Sequence, residues 1–192
     1  MKQLCICLLF LMLLSSCGGI DVNRSFIGVD RFHPQKIVVL PIRVGSYDMS
    51  REIVEYFVAR KLAATGWYKD VVDSQMVQSR LSESPVLLRD VSDFVVSFNT
   101  LGVSNRLLAQ KLGEVFQAQA LLLVNVNDWG YGRVEGEKAA KVGLTLNVVD
   151  SNSGDLIWKG SHRLVEEYMI FRPNLDDICE KLVVMMIEEM PH

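Results

Sequence analysis

The residues Lys36-Ile-Val-Val-Leu-Pro-Ile-Arg43 limit the folds open to this chain more than any other stretch. Short, β-branched and apolar on both alternating sides, they read as a strand buried on both faces. Such a strand needs a covering layer above and below it. Helices on both sides of a sheet are the economical way to supply both layers.

The rest of the chain fits that demand. After Gly45 a helix is expected from Ser50 to Thr65, with Ile53, Val54, Phe57, Val58 and Leu62 forming one stripe, Ser50 as N-cap and Gly66 as stop. Trp67 to Val72 reads as a second strand. Asp73 or Ser74 then caps a short helix carrying Val77 and Leu81. In residues 84–102, Phe94, Val95 and Phe98 have helical spacing, while Ser84-Pro85 and Gly102 bracket them closely. A helix from Ser104 should bury Leu107, Leu108, Leu112, Val115 and Phe116, and the run Ala120 to Asn127 changes period to become a strand. Val142, Leu144, Leu146 and Val148 alternate with Gly143, Thr145 and Asn147, the period of a half-buried strand. Asp150-Ser-Asn-Ser-Gly154 supplies a hairpin turn, and Leu156 to Val165 returns as its partner. Pro173 and Asn174 open a closing helix with Leu175, Ile178, Leu182 and Met185 or Met186 inward. The expected fold is therefore α/β in the α+β mixed sense, a mixed β-sheet of about five strands flanked by helices.

The N-terminus carries a different pattern. Lys2 precedes an apolar run from Leu4 to Leu14 of about eleven residues, well short of the roughly 20 that a spanning helix needs. The sequence Leu14-Ser15-Ser16-Cys17 then resembles the lipobox of bacterial lipoproteins at all four positions. That resemblance implies cleavage between Ser16 and Cys17 and acylation of the Cys17 thiol, palmitate being one of the chains. Gly18 and Gly19, with no aspartate after the cysteine, imply sorting to the outer membrane and its periplasmic face. The expected division is residues 1–16 as signal peptide, 17–35 as lipidated N-terminus and short tether, and 36–192 as a single α/β periplasmic domain. Ile20, Phe26, Ile27 and Phe32 imply that part of the tether packs on the domain.

With Cys5 and Cys7 in the signal and Cys17 acylated, Cys179 is the one free thiol expected in the mature domain. It reads as a small buried apolar residue. The formal net charge of −3 becomes more negative when Lys2 leaves, and no basic stripe offers itself to phosphate backbones, so nucleic acid is not an expected partner.

Residues with catalytic potential are scattered. The chain has 3 histidines, His33, His162 and His192, too dispersed to read as a metal site, and no cofactor motif is present. Asp128 and Asp150 sit at strand ends and read as turn formers rather than an acid/base pair. Gly130, Gly132 and Gly136 have the wrong spacing for a dinucleotide loop and read as a flexible hairpin loop. Within that loop, Trp129, Tyr131 and Arg133 have the composition of an interface hot spot and form the candidate partner-binding site.

Three segments carry a wider resemblance. They are Lys36-Ile-Val-Val-Leu-Pro-Ile, Leu112-Gly-Glu-Val-Phe-Gln-Ala-Gln-Ala-Leu-Leu-Leu-Val, and Leu146-Asn-Val-Val-Asp-Ser-Asn-Ser-Gly-Asp-Leu-Ile-Trp-Lys-Gly160. Together they resemble the α/β lipoprotein domain shared by the curli-secretion lipoprotein CsgG, the penicillin-binding-protein activator LpoB and the N-terminal domain of TolB. The resemblance implies this fold for residues 36–165, in a group that spans export pores and enzyme activators. Pore-forming members add membrane-crossing hairpins, and no pair of alternating strands of about ten residues is apparent here. Activators use a long tether, and this one is short. The expectation is a membrane-anchored, non-enzymatic binding or assembly factor for an envelope protein complex. The alternatives are a self-assembling ring subunit and, more remotely, an envelope enzyme.

Overall fold

A computed structural model describes residues 21–26 and 28–192. The signal 1–16 and the expected processing site Ser16-Cys17 lie outside the described residues. Six strands form one mixed sheet in the order β1-β6-β5-β4-β2-β3: β1 (Val22–Ser25), β2 (Lys36–Val39), β3 (Asp70–Val72), β4 (Ala120–Val134), β5 (Glu137–Asp150) and β6 (Leu156–Glu167). β2 pairs in parallel with β3 and β4, and the remaining pairs are antiparallel. Helices α1 (Arg51–Thr65) and α5 (Leu175–Glu188) cover one face. Helices α2 (Ser74–Glu83), α3 (Pro85–Leu101) and α4 (Arg106–Phe116) cover the other.

The central strand behaves as its composition requires. Ile37 and Val39 enter the core under α1 and α5, while Val38 and Leu40 enter the core under α2, α3 and α4. On β4, Leu122 and Val124 join the first core and Leu121 and Leu123 the second. Period-two alternation thus builds two cores from one sheet.

Several expectations are corrected. The segment 17–35 is not wholly a tether. Residues 22–25 form edge strand β1, with Val22 opposite Ser161 and Ser25 opposite Trp158, so the sheet has six strands and the folded chain reaches back past residue 36. The indole N–H of Trp158 donates to Asn23 Oδ1 at 2.7 Å, fastening β1 to the first core. Residues 84–102 are one continuous helix. Ser84 accepts from the Leu87 N–H at 3.3 Å, Pro85 occupies the first turn, and Gly102 (φ 68°) ends it. The residues that obscured this helix are its caps. In α4 the buried stripe is Ala109, Leu112, Gly113 and Phe116; Leu107 is 78% exposed and Val115 is exposed also. Gly113 belongs to the stripe because Ser151 lies against it, where a Cβ would meet Ser151 Cβ at 2.6 Å. Strand β3 begins at Asp70 rather than Trp67, and Trp67 and Tyr68 pack on the first core instead. Ser50 donates its hydroxyl to Tyr47 O at 2.7 Å and does not cap α1 with its side chain. In α5, Met186 is buried and Met185 is not.

The largest correction concerns residues 128–141. β4 and β5 run for 15 and 14 residues and are joined by the turn Glu135-Gly136, both with positive φ (51° and 94°), as a tight hairpin connection requires. A long paired hairpin therefore exists where none was expected. Gly130 and Gly132 lie within it as strand residues, not as a flexible loop.

Candidate functional site

The candidate surface lies where the β4–β5 hairpin and the end of β6 run on past α1. A β-bulge between Val126 and Asp128 determines what that surface presents. Up to Val126, even-numbered residues of β4 face α1 and α5. The inserted residue reverses the parity. Trp129, Tyr131 and Arg133 consequently share the α5 side, opposite Val142, Ala140 and Lys138.

The structure brings these three together in a row but gives them different work. Trp129 is half-buried against the first core, next to its cross-strand partner Val142. Tyr131 is 41% exposed, and its hydroxyl donates to the Pro173 carbonyl at 2.8 Å. Its ring meets Tyr168 edge-on, with centroids 6.1 Å apart, and the Arg172 guanidinium sits 5.1 Å from its centroid. Arg133 is exposed and donates to the Gly136 carbonyl at 2.6 Å, closing its own hairpin turn.

The side chains that cluster around Tyr131 are therefore Tyr168 and Arg172. The latter two were missed by sequence reasoning because they lie on the segment between β6 and α5. That segment also carries Met169, Ile170 and Phe171, which are 88%, 81% and 87% exposed. Three consecutive large apolar residues between a strand and a proline were the available signal.

The other candidates are dispersed. Asp150 accepts from the Asn152 N–H at 2.9 Å, which is turn chemistry. Asp128 lies 3.7 Å from Arg163. Asp150 opposes Ala120 at one end of the hairpin, and Asp128 lies eight residues further along β4. At a rise of about 3.3 Å per residue, that places them roughly 26 Å apart. They form no pair. His162 stands 3.2 Å from Asp21, and His33 donates to the His192 carbonyl at 3.0 Å. Among the described residues no group of three or more metal-ligating side chains converges. Cys179 is buried, and burial foremost, with Asp176 and Glu180 nearby, pushes its thiol up to about 12. It is packing, not a nucleophile.

On the opposite sheet face a groove of about 450 Å³ opens between the end of α3 and the strands. Asn125 donates to Asn99 at 3.0 Å there, and Asn127 donates to Thr145 at 2.7 Å. Arg43 and Lys159 flank them. The groove can exchange hydrogen bonds with a polar ligand.

The molecule defined so far is an α/β domain with one mixed sheet between two helical layers and an exposed aromatic–apolar end. The arrangement of sheet and helices recurs in a solved structure. The chain is similar to PelC from Paraburkholderia phytofirmans, solved as a dodecamer: TM-score 0.56, 16% identity, covering 88% of this chain and 96% of that one. It also aligns with lipoprotein GNA1162 from Neisseria meningitidis (TM-score 0.46, 20% identity, 81% and 99% covered). The LpoB C-terminal domain from Salmonella enterica follows (TM-score 0.35, 15% identity, 82% and 92% covered). The likeness to PelC establishes the fold, the mixed α/β arrangement expected from the sequence. No protein-family model matches the chain, and no curated protein matches it.

Proposed function

We propose that this chain is a bacterial lipoprotein, acylated at Cys17 and held at the periplasmic face of the outer membrane. Its α/β domain acts by binding and assembling envelope proteins rather than by catalysis. The observation that carries the binding role is the Tyr131–Tyr168–Arg172 cluster. Aromatic and arginine side chains at a rigid sheet end, left partly exposed, have the composition of an interface hot spot. Trp129 serves it from behind by fixing the strand, and Arg133 by closing the turn. The anchor reading is supported by the Leu14-Ser15-Ser16-Cys17 sequence and by the start of β1 only a few residues beyond it.

A second reading, in which the partner is further copies of the same chain arranged in a ring, is favoured by one observation. The similarly folded PelC was solved as a dodecamer. Two measurements test these readings. Labelled palmitate should enter the wild-type chain and be absent from Cys17→Ser; equal incorporation would remove the anchor. Light scattering on the detergent-solubilised chain separates monomer from ring. A ring that dissolves on Tyr131→Ala would place copies of the chain on the aromatic cluster, whereas a monomer leaves that surface for another envelope protein.

A further inference from the structure

The exposed segment Met169-Ile170-Phe171 follows β6, and β1, the first described strand after Cys17, runs beside β6. β1 runs antiparallel to β6, with Ser25 opposite Trp158 and Val22 opposite Ser161, and the Asp21 N–H reaches His162 at 3.2 Å. Read from Ser25 back to Asp21, the described chain therefore runs along β6 in the direction of Glu167, after which the exposed segment starts. From His162 to Glu167 is five residues, about 17 Å of strand. From Asp21 back to Cys17 is four residues, a reach of at most about 14 Å. Cys17 therefore lies within on the order of 30 Å of Glu167, near enough for its acyl group and Met169, Ile170 and Phe171 to meet one bilayer surface.

The segment is held, not loose. The Tyr168 N–H donates to the Lys138 carbonyl at 2.9 Å, and Pro173 receives the Tyr131 hydroxyl at 2.8 Å. Both ends are pinned to the β4–β5 hairpin while three large apolar side chains stand in solvent. Single exposed apolar residues are ordinary, but three contiguous ones on a pinned projection call for a cover. Tyr131, Tyr168 and Arg172 stand at its base, beside the apolar tip and not part of it.

We infer that Met169, Ile170 and Phe171 insert into the surface of the same bilayer that holds the Cys17 acyl chains, making a second membrane contact that fixes the domain's orientation. The inference rests on the anchor reading above. The neighbouring turn carries Glu135 and Glu137, and Glu166 is taken up by Lys181 at 2.8 Å. Arg133, Lys138 and Arg172 stand among these carboxylates, so charges of both signs surround a contact that is apolar at its tip. Its place on the sheet leaves the polar groove beside Arg43 and Asn125 free of the membrane-facing segment.

The test uses the full, acylated chain with Cys179→Ala, reconstituted in phosphatidylcholine vesicles. An environment-sensitive fluorophore is placed at Phe171→Cys or, as control, at Leu107→Cys. With lipids carrying a nitroxide high in the acyl chain, the label at 171 should lose at least about half its emission, as expected for side chains seated at the headgroup–acyl boundary. The label at 107 should keep its emission. A label moved to Met169→Cys should escape quenching once Ile170→Asp and Phe171→Asp are added. Equal quenching at 171 and 107, or none at 171 on vesicles that carry the protein, overturns the inference and leaves the anchor standing. A blue-shifted but unquenched label at 171 also overturns it, because a second protein copy then covers the segment. A chain that takes up no labelled palmitate overturns the anchor reading and this inference with it.

Discussion

Gly160 lies on β6 opposite Asn23 of β1 and Leu146 of β5, and the indole of Trp158 folds back across it. A Cβ built at Gly160 would stand 2.6 Å from Trp158 Cζ2 and closer still to Cη2. Trp158 has no exposed surface, so its ring has no free volume into which to swing. Gly160→Ala should therefore cost about 1–3 kcal/mol as an overpacking change. Trp158→Phe removes the outer ring atoms and the 2.7 Å bond to Asn23. It should cost a similar amount, about 1–3 kcal/mol, from the cavity and the lost hydrogen bond. Phenylalanine lacks the atoms that the new methyl strikes. The double variant should therefore be more stable than the sum of the two losses predicts, by about 1 kcal/mol or more. Urea unfolding followed by far-ultraviolet circular dichroism gives all four corners of the cycle. Strict additivity, or a Gly160→Ala protein within about 0.5 kcal/mol of wild type, would refute the packing argument. Hydrogen exchange adds a functional readout. The amides of β1 should lose protection first, because Trp158 fastens to the core the strand that begins closest to Cys17.

Leu107→Gln should leave stability within about 0.5 kcal/mol of wild type, whereas Leu112→Ala on the same helix should cost about 2–5 kcal/mol in the same urea assay. Gly113→Ala should destabilise by about 1–3 kcal/mol through Ser151, and Ser151→Gly should relieve most of that loss. Burial raises the Cys179 thiol from its ordinary value of 9.0 to about 12. The unfolded chain therefore releases that proton first as pH climbs. The stabilisation from keeping the thiol neutral is complete below about pH 9 and is lost progressively between there and about 12. Melting temperatures across that range should fall less steeply for Cys179→Ala than for wild type, and parallel curves would contradict this.

Elements whose evidence is local were legible in the sequence. Lys36 to Val39 needed only its own composition to be placed at the centre of a sheet, and the Val142–Val148 alternation to be placed in a strand. α3 was harder, because Ser84-Pro85 and Gly102 break helices when they lie inside them and cap helices when they lie at the ends. The same residues carry both meanings, and only the packing of Phe94 and Phe98 into the second core selects one. In α4, apolar content misled: Leu107 and Val115 are apolar yet outward, and Gly113 faces inward because Ser151 stands there.

The candidate surface divides along the same line. Trp129, Tyr131 and Arg133 could be picked out by type, and their common face follows from alternation once they are known to lie in a strand. Their placement toward α5 depends on the bulge after Val126, which a sequence pattern rich in glycine does not display. Residues 22–25 read as tether because Gly18, Gly19, Asn23, Gly28 and Pro34 leave that stretch without a sustained period. Its identity comes from β6, which supplies the backbone partners.

Local sequence suffices for the lipobox resemblance, the central strand buried on both faces and the helix periods that cover it, since each depends on neighbours within a few residues. Only the tertiary structure sets β1 beside β6, with Asp21 at His162, and brings Tyr131 to Tyr168 and Arg172. Those positions are fixed by strand pairing between distant segments, and pairing is a property of the sheet that no local pattern contains.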